Sequence, residues 1–120
     1  MRDILINFPL YNPVDEAFTG LDEDAELLPA AEYAHEKPVV FYGSSITQGA
    51  CASHPGNAYC NILSRRLNTN NINLGFSGGC HGEDAMAEYL AALDMSVLVY
   101  DYDHNAESAE ELQRTHERAF

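Results

Sequence analysis

The segment Val39-Val40-Phe41-Tyr42-Gly43-Ser44-Ser45-Ile46-Thr47-Gln48-Gly49 limits what this chain can fold into more than any other stretch. Four apolar, β-prone residues run without polar alternation into Gly-Ser-Ser, and a second Gly closes the turn. A continuous apolar run cut off by Gly marks a strand buried on both faces, as in a parallel sheet. In open α/β sheets, function gathers in the crevice outside the carboxyl ends of the strands. This run delivers the hydroxyls of Ser44 and Ser45 to that crevice.

A phosphate-binding P-loop needs four residues between its glycines and then Lys-Ser/Thr. Here five residues separate Gly43 from Gly49, Ala50 comes next and no Lys follows, so that mechanism fails. The nucleophile elbow of α/β-hydrolases needs G-x-S-x-G, and Thr47 stands where its second Gly belongs. What remains is a serine turn, either solvated and without chemistry or built for nucleophilic attack.

Charge narrows the partners. Six basic against nineteen acidic residues give a formal charge of −13, which repels phosphate backbones and anionic lipid. Neither nucleic acid nor a membrane is expected as a partner; neutral or cationic small molecules are favoured. No apolar run approaches the length of a transmembrane helix, and the N-terminus lacks a signal-peptide pattern, which leans toward the cytoplasm. Cys51, Cys60 and Cys80 are odd in number and form no C-x-x-C pair, so no disulfide framework and no zinc site is expected. Small buried thiols are the expectation for all three.

In chain order, Asp3–Phe8 predicts a strand with Ile4, Ile6 and Phe8 on one face, stopped by Pro9 and Pro13. From Asp15 to Lys37 the text is acidic and irregular, yet Leu21, Leu27, Leu28 and Tyr33 make it too apolar for a free linker. It predicts an irregular arm packed on a neighbouring module, giving a division into residues 1–37 and 38–120. After Ser45, Thr47 to Asn57 is a long polar loop of the kind that carries function. Tyr59, Ile62, Leu63 and Leu67 predict one face of a helix, ended by Asn68 to Asn71. Ile72–Phe76 is a second strand, with Ser77-Gly78-Gly79 as its turn. Gly82-Glu83-Asp84 opens a helix with the buried stripe Met86, Leu90 and Leu93. Val97–Tyr100 is a third strand, and Ser108 with Glu111 has capping-box spacing before a helix through Leu112, Thr115 and Ala119. From residue 39 the order is β-α-β-α-β-α, a parallel sheet with crossover helices.

Three strand ends therefore carry polar groups to one edge: Ser45, Ser77-Gly78 and His104-Asn105. Acyl transfer needs a nucleophile, a base and donors aimed at the developing oxyanion. Ser45 can be the first. Gly78 lets its backbone N–H approach a substrate with no Cβ in the way, and Asn105 offers a side-chain amide.

This constellation resembles the SGNH (GDSL-type) hydrolase family over residues 38–120. GSSITQG resembles its first block and implies Ser45 as nucleophile, with Ser44 in place of the usual Asp. NLGFSGG resembles the second and implies Gly78 as an oxyanion donor. DYDHN resembles the third and implies Asn105 as another, although Asp103 and Ala106 depart from its common Gly-x-Asn-Asp form. FPLYNPV and the acidic stretch after it resemble the end of a small β-rich domain that precedes the catalytic domain in one branch of the family. The fold implied is a three-layer α/β/α, flavodoxin-like parallel sheet, here incomplete. The activity implied is serine ester hydrolysis of small acyl esters, including acetylated carbohydrate, with no metal or organic cofactor.

The family's fourth block, Asp-x-x-His near the domain C-terminus, is absent after Asn105, so this stretch alone is expected to be inactive. Of the histidines, His35 is expected solvated in the arm, His54 and His81 lining substrate, and His116 on a helix surface. His104 ends the strand beside the one carrying Ser45 and is the histidine placed to reach that hydroxyl. A non-catalytic glycan-binding or interaction module on the same fold is the rival; a nucleotide-binding flavodoxin-like protein lacks its Gly-rich phosphate loop. In strand order 2-1-3 the uncharged Val97–Tyr100 strand lies at an edge, where self-association is expected.

Overall fold

The computed structural model describes residues 3–119, and side chains through residue 118. Strand β1 (His35–Gly43) is followed by a one-turn helix α1 (Ser45–Gln48), helix α2 (Tyr59–Leu67) and strand β2 (Thr69–Gly75). Helix α3 (Asp84–Ala91), strand β3 (Val97–Asp101) and helix α4 (Ala109–His116) complete the succession. β1 is central and pairs in parallel with β2 on one side and β3 on the other, giving the order β2-β1-β3. That is the flavodoxin-like arrangement expected, with β3 at an edge. Among the described residues no helix is long and apolar enough to cross a membrane.

The uninterrupted apolar text of β1 has the structural meaning assigned to it. Val40 and Tyr42 face one layer, where Leu90, Cys80 and Tyr102 are buried and Met86, Leu93 and Leu112 pack against them. Phe41 faces the other, against Ala58, Cys60 and Tyr59, with the Phe41 and Tyr59 rings edge to face at 5.6 Å. α3 and α4 thus cover one face of the sheet and α2 the other, so alternate side chains of the same strand all find apolar partners.

β1 extends four residues further upstream than the apolar run, through Pro38. The register is irregular between His35 and Val39, which lets a residue without an N–H sit in a central strand. The Pro38 carbonyl is not wasted: it accepts from Ser96 N at 2.9 Å and Ser96 Oγ at 3.1 Å. β2 also starts early. Asn68 takes the left-handed conformation (φ 49°) and caps α2 in a single residue, so Thr69 already belongs to the strand. Ser108 caps α4 by accepting from Glu111 N at 3.1 Å, while the Glu111 carboxylate reaches back to the N–H of Glu107.

Four expectations are corrected. Asp3–Phe8 is not a strand; residues 3–34 hold no regular element, and Ile4, Ile6 and Phe8 are largely exposed. The described sheet is made of β1, β2 and β3, and this segment pairs with none of them, so alternation alone does not make it a strand. α2 buries Cys60 and Ser64, not Leu63 and Leu67, which are 38% and 55% exposed. Small side chains bring the helix close to the sheet: Ser64 Oγ donates to the Thr69 carbonyl, and Cys60 Sγ accepts from Asn73 Nδ2 at 3.1 Å. Cys51 is exposed, unlike Cys60 and Cys80. His35 opens β1, although it is solvated as expected. The helix expected through Leu112, Thr115 and Ala119 is α-helical to His116 and continues as a 3-10 turn over Glu117–Ala119.

Two glycines decide how the sheet is capped. Gly43 and Gly75 are register partners at the ends of β1 and β2, and Asp101 of β3 lies in the same row. A Cβ on Gly75 would run into the backbone N of Gln48, and one on Gly43 into Thr47 Oγ1 and the Asp101 carbonyl. α1 therefore rests directly on the strand ends. Gly75→Ala is expected to destabilise the protein by about 3 kcal/mol through overpacking against backbone that cannot yield. Gly20→Ala, where the methyl meets nothing within 4 Å, is expected to stay within about 0.5 kcal/mol. Urea unfolding followed by tyrosine fluorescence measures both, and a Gly75→Ala protein of unchanged stability would mean that α1 is not held on β2.

Candidate active site

The two serines of the turn have different tasks. Ser44 is 1% exposed, and its Oγ accepts from Ile46 N at 3.2 Å as the N-cap of α1. Serine and aspartate are both strong N-cap residues, so Ser44 does what an Asp in that position would do. Ser45, the next residue, is only half-buried, and among the described residues its Oγ makes no hydrogen bond. One hydroxyl is consumed by structure and the other is left open to chemistry.

α1 is held from below and from both sides. Thr47 is wholly buried; its Oγ1 lies 3.1 Å from the Tyr59 hydroxyl and donates to Asp101 Oδ2 at 3.3 Å. Asn73 of β2 donates from Nδ2 to the Thr47 carbonyl at 3.0 Å, and its Oδ1 accepts from Gly75 N at 2.9 Å. Tyr11 of the N-terminal arm donates to the Ser45 carbonyl at 3.2 Å. None of these five residues carries a role at the site in the sequence reading, where Tyr59 counts only as part of a helix face. Asn73 alone carried a signal, as an amide set between Ile72 and Leu74 in an apolar strand.

The turn after β2 supplies Gly78, exposed and in the left-handed region at φ +68°. A Cβ there meets nothing within 4 Å, so the penalty of a side chain would come from backbone strain and not from the protein's own packing. Asn105 sits in a one-turn 3-10 segment (Asp103–Asn105) beyond β3, and its Nδ2 donates to the Phe76 carbonyl at 3.2 Å. A carboxamide has two N–H donors, so one remains for a substrate oxygen.

The histidines divide. His81 joins the second turn: its Nε2 lies 3.1 Å from the Gly78 carbonyl and its Nδ1 3.9 Å from Glu111 Oε1. His104 is exposed in the turn of Asn105, where ligand atoms of Asp101, Asp103 and His104 lie within 4.8 Å of one another and could hold a cation. His54 is exposed at the head of the 3-10 turn Pro55–Asn57. His116 is on a helix surface as expected, edge to face with the Tyr100 ring at 5.5 Å. Among the described residues, His35, His54, His81 and His104 make no hydrogen bond to Ser45.

Beneath the second turn lies a polar knot that shapes it. The Tyr42 hydroxyl donates to Glu83 Oε2 at 2.9 Å and accepts from Gly82 N at 3.1 Å. Burial pushes the Tyr42 pKa strongly up, with Cys80 and Glu83 adding to it, so the phenol remains a donor. Burial likewise pushes the Cys80 thiol up to about 11, which leaves it protonated and unreactive at neutral pH. Glu83 goes the other way. Burial would raise it, but hydrogen bonds from its own N–H, from Tyr42 and from the His81 N–H hold its carboxylate below the ordinary value of 4.5. A depressed carboxylate contributes stability above its unfolded pKa and loses it as pH falls through the folded value. Acidifying from about pH 6 to about pH 3 should therefore lower the urea midpoint more in the parent protein than in Glu83→Gln. Equal losses would mean that the Glu83 bonds contribute nothing.

Residues 36–119 match the model of the GDSL-like lipase/acylhydrolase family. Among solved structures, the chain is similar to a Bacteroides ovatus protein assigned as a GDSL-like lipase, with a TM-score of 0.75 and 37% sequence identity. The likeness covers 82% of this chain and 29% of that one, so the chain spans under a third of the length of its structural relative. No functionally curated protein matches it. The family match extends over well more than half of the sequence, and the chain belongs to the GDSL-like lipase/acylhydrolase family.

Proposed function

We propose that the protein is a serine ester hydrolase in which Ser45 is the nucleophile and the oxyanion is held by the N–H of Gly78, the side chain of Asn105 and the N–H of Ser45. The observation that carries this reading is the register row Gly43, Gly75, Asp101, which ends all three strands at one level and starts each functional turn there. Ser45, half-buried with an uncommitted hydroxyl, suits attack; Ser44, buried and spent on a cap, does not.

In the first half-reaction Ser45 Oγ bonds to the ester carbonyl carbon as its proton passes to a base. The C–O bond to the alcohol then breaks, the alcohol takes that proton, and an acyl-serine remains. Water repeats the sequence and frees the acid. Donors preset around the oxyanion need no reorganisation at the moment charge develops. A surface with a formal charge of −13 favours neutral or cationic esters, and small acyl groups, acetyl on carbohydrate among them, are the proposed substrates.

A second reading has one observation behind it. Among the described residues, His54, His81 and His104 make no hydrogen bond to Ser45, and a serine without a base is a poor nucleophile. On that reading the fold is a binding module that keeps the cleft. Fluorophosphonate labelling separates the two, since an enzyme is modified at Ser45 and a binding module is not.

Activity is assayed with any sequence downstream of residue 120 restored. There, Ser45→Ala should abolish turnover of p-nitrophenyl acetate, while Ser44→Ala keeps most of it and loses about 1 kcal/mol of stability with the cap. A larger activity loss at Ser44 would show that the nucleophile is misassigned. Asn105→Ala in the same protein should lower kcat by about 10²–10³-fold with little change in KM. An effect on KM alone would make Asn105 a substrate contact and remove it from the oxyanion site.

A further inference from the structure

Gln48 ends α1 half-buried, and its backbone N is the atom that a Cβ on Gly75 would strike. Its position against β2 is therefore fixed before its side chain is considered. The carboxamide then spans two segments: Nε2 donates to the Leu10 carbonyl at 3.0 Å, and Oε1 accepts from Ser77 N at 2.9 Å. Leu10 itself packs beside α1, with its Cδ1 against Gly49.

The Ser77 N–H and the Phe76 carbonyl belong to one planar peptide unit. The carbonyl accepts from Asn105 Nδ2 at 3.2 Å and from Gly79 N at 3.2 Å, and the N–H is held by Gln48. This peptide is thus gripped at both ends, by side chains from α1 and from the turn after β3. It lies one residue before Gly78, so its plane sets where the Gly78 N–H can point.

We propose that Gln48 is a positioning residue for the oxyanion site, orienting the Phe76–Ser77 peptide so that the Gly78 N–H faces Ser45; this rests on the roles proposed above for Ser45 and Gly78. Gln48 touches no reacting atom. It supplies an acceptor to the turn and a donor to the arm, and the acceptor is the end that bears on catalysis.

Two substitutions separate the ends. Gln48→Met keeps length and removes both hydrogen bonds; Gln48→Glu keeps an acceptor for Ser77 and loses the donor to Leu10. Hydrogen exchange of the Ser77 amide, followed by NMR, should accelerate about tenfold in Gln48→Met and stay near the parent rate in Gln48→Glu. In the protein assayed with any sequence downstream of residue 120, kcat for p-nitrophenyl acetate should fall about tenfold in Gln48→Met at nearly constant KM, and Gln48→Glu should restore most of it. Unchanged Ser77 exchange in Gln48→Met overturns the proposal, as does an equal loss of kcat in both variants, which would assign the effect to the arm contact. Turnover that survives Ser45→Ala would sink the esterase reading instead, and the exchange rates would still decide whether Gln48 holds the turn.

Discussion

The close approach of α1 to the ends of β1 and β2 is the constraint on which the rest of this structure depends. It exists because Gly43 and Gly75 present no Cβ where the helix backbone and Thr47 must lie. Overpacking is costly because protein interiors are already near crystalline density, and backbone cannot rotate aside as a side chain can. From that contact follow the burial of Ser44, the outward placement of Ser45 and the level at which the second turn begins. The first family block is accordingly a packing device in its own right.

Once α1 is seated, polar side chains hold it. Asn73, Thr47 with Asp101, Tyr11 and Gln48 each bond to α1 or from it, and no buried side-chain polar atom among the described residues lacks a partner. A four-residue helix has too few internal hydrogen bonds to be stable alone, so its geometry must come from such external partners. A buried amide that is fully bonded also orients its neighbours, because any shift would strand a donor or an acceptor away from water.

The layer under the second turn works differently. Tyr42, Tyr100 and Tyr102 pack ring to ring, with centroids 4.9 to 6.0 Å apart, so the polar tips rather than the rings decide orientation. Tyr102 bonds Thr115 at 2.6 Å and Tyr42 bonds Glu83, tying α4 and the head of α3 to the sheet from inside. Aromatic bodies bury large areas while their hydroxyls still need partners. The turn bearing Gly78 is therefore braced from the core as well as from α1.

Much of this was legible in the sequence. Unbroken apolar runs marked β1 and β3, and turn residues placed Ser45, Gly78 and Asn105 just beyond the three strand ends, because local propensity and motif spacing are written along the chain. The failures share one cause. Ile4, Ile6 and Phe8 alternate like a strand but pair with neither open edge of the sheet, and Leu63 and Leu67 look like a core face although Cys60 and Ser64 fit closer to the sheet. Periodicity states what a segment could bury, not which neighbour will be there. The different fates of Ser44 and Ser45, and the bridging by Gln48 and Asn73, were decided only in tertiary structure. Those contacts join residues up to 38 positions apart, and hydrogen-bond partners at that separation leave no local pattern.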